Sequence, residues 1–64
     1  MSFYNGLKKY RLKKGLTQYE LASLANVGKW TITKYETAAR VPSEQLRRHL
    51  ADVLDVTYEQ IMDE

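Results

Sequence analysis

Cationic side chains are concentrated in the first forty residues, and they indicate that this part of the chain binds an anion. Residues 1–40 carry eight lysines and arginines against Glu20 and Glu36, a net charge of +6, whereas residues 41–64 carry a net charge of −4. This division favours a polyanion as the ligand of the N-terminal part, and water or a protein as the neighbour of the acidic part. Chance is the alternative explanation, because small proteins often have uneven charge.

The residue types needed for catalysis or metal binding do not occur in a useful pattern. His49, the single histidine, belongs to no cluster of the kind that binds a metal, and we expect it at the surface. The sequence has no nucleophile–base pair and no glycine-rich phosphate loop. It has no cysteine, which excludes disulfides and thiolate metal sites and suits a reducing cytoplasm. We therefore expect no enzyme activity, no cofactor, no metal and no small-molecule site.

The stretch from Thr17 to Glu36 predicts the helices that carry the central cationic residues. Thr17 and Glu20 have the S/T-x-x-E spacing of a capping box, so a helix begins here and extends to about Ala25. Asn26 easily adopts the left-handed conformation that ends a helix. Apolar residues recur along this helix at the spacing of an inward face, namely Leu21, Ala22, Leu24 and Ala25.

A further helix of about residues 29–37 follows after a short turn, with Gly28 as its cap. Ile32 and Tyr35, three residues apart, form its inward face. Its outward face carries Lys29, Trp30, Thr33 and Lys34. In the preceding helix, Ala22 supplies a small side chain where two steeply crossing helices must nearly touch.

The N-terminal segment predicts a helix that begins between Ser2 and Asn5 and ends at Lys14. Gly6 weakens it slightly, because glycine is a poor helix former. Its core face is the i, i+4, i+7 stripe of Phe3, Leu7 and Tyr10.

The C-terminal segment predicts two more helices. Ser43 caps one that ends at Asp55, and Thr57 with Gln60 forms a capping box for a short final helix that ends near Met62. The core face of the longer helix consists of Leu46, Leu50, Val53 and Leu54. No run of about 18 apolar residues could span a membrane. We expect one all-α domain over residues 1–64, a compact bundle of five helices.

A set of residues spread over nearly the whole chain matches one known pattern. It comprises Leu7 through Arg11, Leu16-Thr17-Gln18, Glu20-Leu21-Ala22, Val27, Ile32, Tyr35-Glu36, Pro42-Ser43, Leu46, Leu50-Ala51, Leu54, Val56 and Ile61. As a set, these residues resemble the helix-turn-helix domain of the phage repressor/Cro-type proteins, often called the XRE family. The chain departs from that pattern at Asn26, Gly28 and the pair Thr37-Ala38. Family members commonly have glycine at the position of Asn26, serine or threonine at that of Gly28, and Asn-Gly at that of Thr37-Ala38. A positive φ at Ala38 costs roughly 1 kcal/mol.

The resemblance implies that the helix of residues 29–37 enters the major groove of DNA and contacts base edges. The base-contacting positions then fall on Gly28, Lys29, Trp30, Thr33 and Lys34. Lysine can donate to guanine O6 and N7, and threonine or tryptophan can contact a thymine methyl group. The alternative is that these are ordinary solvated residues. Because an exposed tryptophan is costly, Trp30 either meets DNA or folds back on a neighbouring side chain.

Phosphate contacts are expected on both sides of the helix of residues 29–37. Amide groups at a helix N-terminus bind phosphate well, so Thr17 and Gln18 form a phosphate clamp, and Gln18 also braces the first residues of the next helix. Thr37 and Arg40 would flank the opposite backbone strand. The alternatives are that Thr17 is only a cap and that Arg40 is a solvated loop charge.

Arg11 and Glu36 match a pair that the family joins by a salt bridge. We expect an exposed pair that contributes about 0–1 kcal/mol and holds Arg11 ready near a phosphate. The alternative is two unpaired surface charges.

A second copy of the chain is the expected protein partner, since one such domain places one helix in one groove and dimers bind two half-sites. Tyr58 and Met62 have no obvious internal partner in the sequence and, with Val56, would form a small symmetric dimer interface. Alternatively, they close the bottom of the bundle. We therefore expect a bacterial or phage-encoded cytoplasmic homodimer that binds a palindromic double-stranded DNA operator and represses transcription. A protein-interaction or antitoxin-type module of the same fold is the alternative.

Overall fold

A computed structural model of the protein describes residues 3–62, and in this range the chain forms five helices joined by short turns. They are α1 (Phe3–Lys13), α2 (Gln18–Ala25), α3 (Lys29–Glu36), α4 (Glu44–Val53) and α5 (Tyr58–Met62). No strand occurs among the described residues, so the expected all-α fold class is confirmed. The expected start of the first helix includes Ser2, which lies outside the described range. None of the five helices is long and apolar enough to cross a membrane.

Hydrogen bonds at three helix starts confirm the predicted caps. At α2 the Thr17 hydroxyl accepts the Glu20 N–H at 3.0 Å, and the Glu20 carboxylate accepts the Thr17 N–H at 2.8 Å. Thr57 and Gln60 form the same two bonds at α5, at 3.0 and 2.8 Å. The Ser43 hydroxyl accepts a backbone N–H from the first turn of α4 at 3.2 Å. These bonds satisfy amide groups that have no partner within the helix.

Left-handed residues end three of the helices and shape the loop after α3. Asn26 has φ 60° and Asp55 has φ 59°, as short polar residues tolerate, and Gly15 has φ 71°. Ala38 has φ 62° and no polar side chain to stabilise that conformation, so the strain expected at this position is confirmed. The loop that leads from α3 to α4 is therefore held at a cost of roughly 1 kcal/mol.

The apolar stripes of the five helices meet in one core. Its buried members are Phe3, Leu7, Leu21, Ala22, Ala25, Ile32, Tyr35, Leu50, Ala51, Leu54 and Ile61. Three predicted core residues, Tyr10, Leu46 and Val53, pack against this core while only partly buried. The inward position expected for Leu24 is wrong, because its side chain is 60% exposed. Since α2 buries only the stripe that faces α3 and α4, Leu24 lies on the opposite, outer side.

Two small residues lie in the closely packed interior. Ala22 is almost fully buried in α2, the helix that packs on α3, and a close crossing of the two helices at Ala22 stays a prediction. Gly6 has a larger role than the sequence indicates. A Cβ atom at Gly6 would lie 1.8 Å from the carbonyl oxygen of Ile61, so the backbones of α1 and α5 are in contact there.

We expect Gly6→Ala to destabilise the protein, because the added Cβ would meet the backbone of α5 rather than a movable side chain. Overpacking of this kind costs about 1–3 kcal/mol, and urea unfolding followed by circular dichroism measures it. Gly28→Ala is the matched control, since a Cβ there meets only the Thr31 hydroxyl at 3.7 Å. Equal unfolding midpoints for the two variants would show that α1 and α5 do not touch at Gly6.

Candidate nucleic-acid interface

The inward and outward faces of α3 are arranged as the sequence predicts. Ile32 is fully buried and Tyr35 is nearly so, with the Tyr35 ring packed edge-on against Phe3. A helix advances by about 100° per residue, so the residues on the opposite face point away from the core. Lys29, Trp30 and Lys34 are exposed on this face, and Thr33 is half-buried at its border.

Trp30 does not fold back into the bundle. Its side chain is 69% exposed. Its ring is contacted by the neighbouring Lys29, whose ammonium nitrogen lies 4.7 Å from the ring centroid. A cation over an indole face is attracted by about 0.5–1 kcal/mol at an exposed site. The lysine and the tryptophan therefore form one exposed unit at the start of α3.

Thr33 and Gln18 join α3 to α2. The Thr33 hydroxyl donates to the Gln18 side-chain oxygen at 2.7 Å, and the Gln18 amide donates to the Glu36 carboxylate at 3.1 Å. Gln18 therefore braces α3 as expected, but at the middle and end of the helix rather than at its first residues. Because the Thr33 hydroxyl proton is used inside the protein, Thr33 presents only its oxygen lone pairs and its methyl group outward.

Arg11 and Glu36 form a buried ion pair, which corrects the expectation of an exposed one. The Arg11 Nε and Nη2 atoms lie 2.6 and 3.1 Å from the two carboxylate oxygens of Glu36, and Arg11 Nη1 donates to the Leu16 carbonyl at 2.7 Å. The two side chains are only 9% and 3% exposed. Since all three guanidinium nitrogens donate within the chain, the geometry does not support the expected contact of Arg11 with a phosphate.

The other expected phosphate contacts lie at the two ends of the α2–α3 unit. Thr17 is engaged as the cap of α2, and the amide groups of the first turn lie beside it at the positive end of the helix dipole. At the other end, Thr37 caps α3 by donating to the Thr33 carbonyl at 2.9 Å. Arg40 is exposed and forms no ion pair among the described residues.

The loop after α3 folds back onto the helix and so places Arg40. The amide groups of Ala39 and Arg40 donate to the Lys34 carbonyl at 2.9 and 3.3 Å. Ala38, with its positive φ, makes this reversal of the chain possible. The backbone of Arg40 is consequently held beside the last turn of α3.

The three expected dimer residues, Val56, Tyr58 and Met62, are half-buried and pack against the core. The premise that Tyr58 lacks an internal partner is wrong. Its hydroxyl accepts a hydrogen bond from Arg47 Nε at 3.2 Å, and the guanidinium of Arg48 lies 4.2 Å from its ring centroid. Eleven and ten residues separate these partners in the chain, so no local pattern could have predicted the contact.

Sequence analysis missed two further features of the surface. His49 is exposed, as predicted, but its Nε2 lies 3.1 Å from the Ala25 carbonyl and so links α4 to the end of α2. An open groove of about 300 Å³ lies on the outer side of α2, lined by Leu16, Tyr19, Glu20, Ser23 and Leu24. The exposure of Tyr19 and Leu24 marks this groove, and it appears only in the folded chain.

Comparison with known families supports the identity that this geometry indicates. A family model described as helix-turn-helix matches residues 7–61, which include all five helices apart from the start of α1 and the last residue of α5. Comparison with curated proteins gave no match. The matched family consists of DNA-binding regulators of transcription. With α2 and α3 as its two motif helices, the chain belongs to the helix-turn-helix family of the phage repressor/Cro type.

Proposed function

We propose that the protein binds double-stranded DNA sequence-specifically by inserting α3 into the major groove, and that it represses transcription from the site it occupies. The observation that carries this proposal is the outward face of α3. Lys29, Trp30 and Lys34 project from it into solvent, while Ile32 and Tyr35 hold the helix in the core. A helix presented in this way has the dimensions that the major groove of B-DNA admits.

The lysines supply direct contacts with bases. An ammonium group donates to the O6 and N7 acceptors that guanine presents in the major groove. Gly28, at the start of α3, has no side chain and lets the backbone approach the bases closely. Thr33 lies at the border of the same face, where its oxygen and methyl group are available.

Phosphates on the two strands fix the register of α3. On one side, the Thr17 hydroxyl and the backbone amide of Gln18 can donate to a phosphate at the positive end of the α2 dipole, whereas the Thr17 amide already donates to Glu20. On the other side, Thr37 and Arg40 approach the opposite strand from the loop that follows α3. Arg11 lies outside this set, because Nε and Nη2 of its buried guanidinium donate to Glu36 inside the protein.

A symmetric dimer on a palindromic site completes the proposal. Val56, Tyr58 and Met62 leave only part of their surface exposed, so the interface they form is small. Standard protein interfaces bury about 800 Å² per partner, and a smaller one gives a weak dimer in solution. DNA strengthens the dimer by holding two copies about one helical turn apart.

A protein-interaction or antitoxin-type module is the second candidate, because the open groove on the outer side of α2 could receive a protein segment. The dependence on salt separates the two candidates. DNA binding that neutralises Z phosphates loses affinity with a log–log slope of about −0.9Z, whereas an apolar protein contact depends little on salt.

Selection of bound duplexes from a random pool tests the function directly. We expect enrichment of one sequence arranged as two inverted half-sites, with an affinity that falls steeply between low and physiological salt. Enrichment of a single half-site would refute the proposed dimer and leave the proposed DNA binding intact. If no sequence is enriched and the salt slope is near zero, the protein does not act by binding DNA.

Lys34→Ala tests the base contacts. We expect this variant to lose about 1–3 kcal/mol of affinity on the best site and to relax the preference at one base pair. Lys8→Ala is the matched control, because it removes one exposed positive charge from α1, and it should leave the preferred sequence unchanged. A loss for Lys34→Ala that is equal on all sequences would assign Lys34 to a phosphate.

Met62→Asp tests the dimer interface. A charge placed in the apolar patch should abolish cooperative filling of the two half-sites, while one half-site still binds. The exposed neighbour Glu59 provides the control variant Glu59→Ala, which should behave like the unaltered protein. Sedimentation with and without a palindromic duplex gives the mass, and circular dichroism establishes that both variants are folded. A folded Met62→Asp that still fills both half-sites cooperatively would contradict the interface.

A further inference from the structure

Trp30 lies at the centre of the outward face of α3. At about 100° per residue, it points almost directly away from Ile32 and Tyr35, the two residues that anchor the helix. Lys29 and Thr33 lie on one side of it and Lys34 on the other. With 69% of its surface exposed, this ring is the most prominent apolar group of the proposed DNA-binding face.

Trp30 contacts the ammonium group of Lys29, and most of its indole is exposed. The Lys29 ammonium occupies one ring face, 4.7 Å from the centroid. The hydroxyl of Thr33, three residues further along α3, donates to the Gln18 side-chain oxygen. Trp30 therefore gains nothing from the core, and its large apolar surface is available to a ligand.

The major groove offers few groups that an apolar ring can contact favourably. Its base edges present hydrogen-bond donors and acceptors, and the one apolar group among them is the C5 methyl of thymine. The two lysines beside the ring require an electronegative surface at the same place, which the guanine and phosphate oxygens of a duplex provide. This combination matches a thymine that has acceptor-rich neighbours.

We propose that Trp30 determines specificity by packing against the 5-methyl group of a thymine, one in each half-site, and that Lys29 holds the ring in position. This inference rests on the proposed function, since it names what the outward face of α3 recognises in DNA. Besides the base contact proposed above, Lys29 positions the ring, because its cation over one ring face limits the orientations of the indole.

Duplexes that lack the methyl group test the inference. Uracil differs from thymine only by that methyl, so parallel selections use random pools made with thymine or with uracil in its place. The thymine pool should show one strongly preferred thymine per half-site, and the uracil pool should lose that preference. Replacing that one thymine by uracil in a single half-site should weaken binding about fourfold, the equivalent of about 0.8 kcal/mol for one buried methyl group.

Variants assign the effect to Trp30. In Trp30→Ala the difference between thymine and uracil at that position should disappear, whereas it should persist in Leu24→Ala, which shortens an exposed apolar side chain on the outer side of α2. Trp30 is the single tryptophan of the chain, so its fluorescence reports the contact directly. Emission should change on binding the thymine duplex, and change less with the uracil duplex.

The outcomes separate this inference from the function on which it rests. Salt-dependent, sequence-selective binding with equal affinity for thymine and uracil at every position overturns the role of Trp30 and leaves DNA binding intact. A thymine effect that survives in Trp30→Ala also overturns it, because another side chain then contacts the methyl group. If the chain binds neither pool, the proposed function fails together with the inference.

Discussion

The buried ion pair between Arg11 and Glu36 is the interaction on which the rest of the structure depends. It joins α1 to the end of α3, and Gln18 extends it to α2 by donating to the same carboxylate. Burying charges is costly unless they are paired and hydrogen-bonded, and removing one partner of such a pair costs about 3–5 kcal/mol. A small domain is stable by only about 5–15 kcal/mol in total. The position of α3 is therefore coupled to the folding of the whole chain.

The same helix has two faces with opposite roles. Ile32, Tyr35 and Glu36 hold α3 against its neighbours, whereas Lys29, Trp30 and Lys34 contribute little to folding and remain free for a ligand. An exposed tryptophan between two lysines departs from the rule that large apolar groups are buried. Departures of this kind are expected at functional sites. The buried inner face holds the backbone of α3 in place, which would reduce the ordering cost of the proposed DNA binding.

A close backbone contact and a strained loop residue show how little room so small a domain has. The contact of Gly6 with the Ile61 carbonyl brings α5 onto α1 without any side chain between them. Ala38 accepts a strained φ so that the loop can return to α3. Both features place a segment that the proposed function uses, the dimer patch near α5 in one case and Arg40 in the other. The close contact at Gly6 and the strained φ of Ala38 thus both help to place segments that the proposed function uses.

The sequence by itself determined the helices, their caps and the family. The capping boxes at Thr17 and Thr57 and the left-handed Asn26 depend on residues within four positions of one another, so their patterns are visible without a structure. Tertiary structure alone decided that Arg11 is buried, that Leu24 faces solvent and that Tyr58 has partners on α4. These outcomes depend on which faces of distant helices meet, and an apolar or charged residue has the same local pattern in either environment. The close contact at Gly6 could not be predicted from the sequence for the same reason. The carbonyl oxygen of Ile61, which excludes a side chain there, lies 55 residues away in the chain.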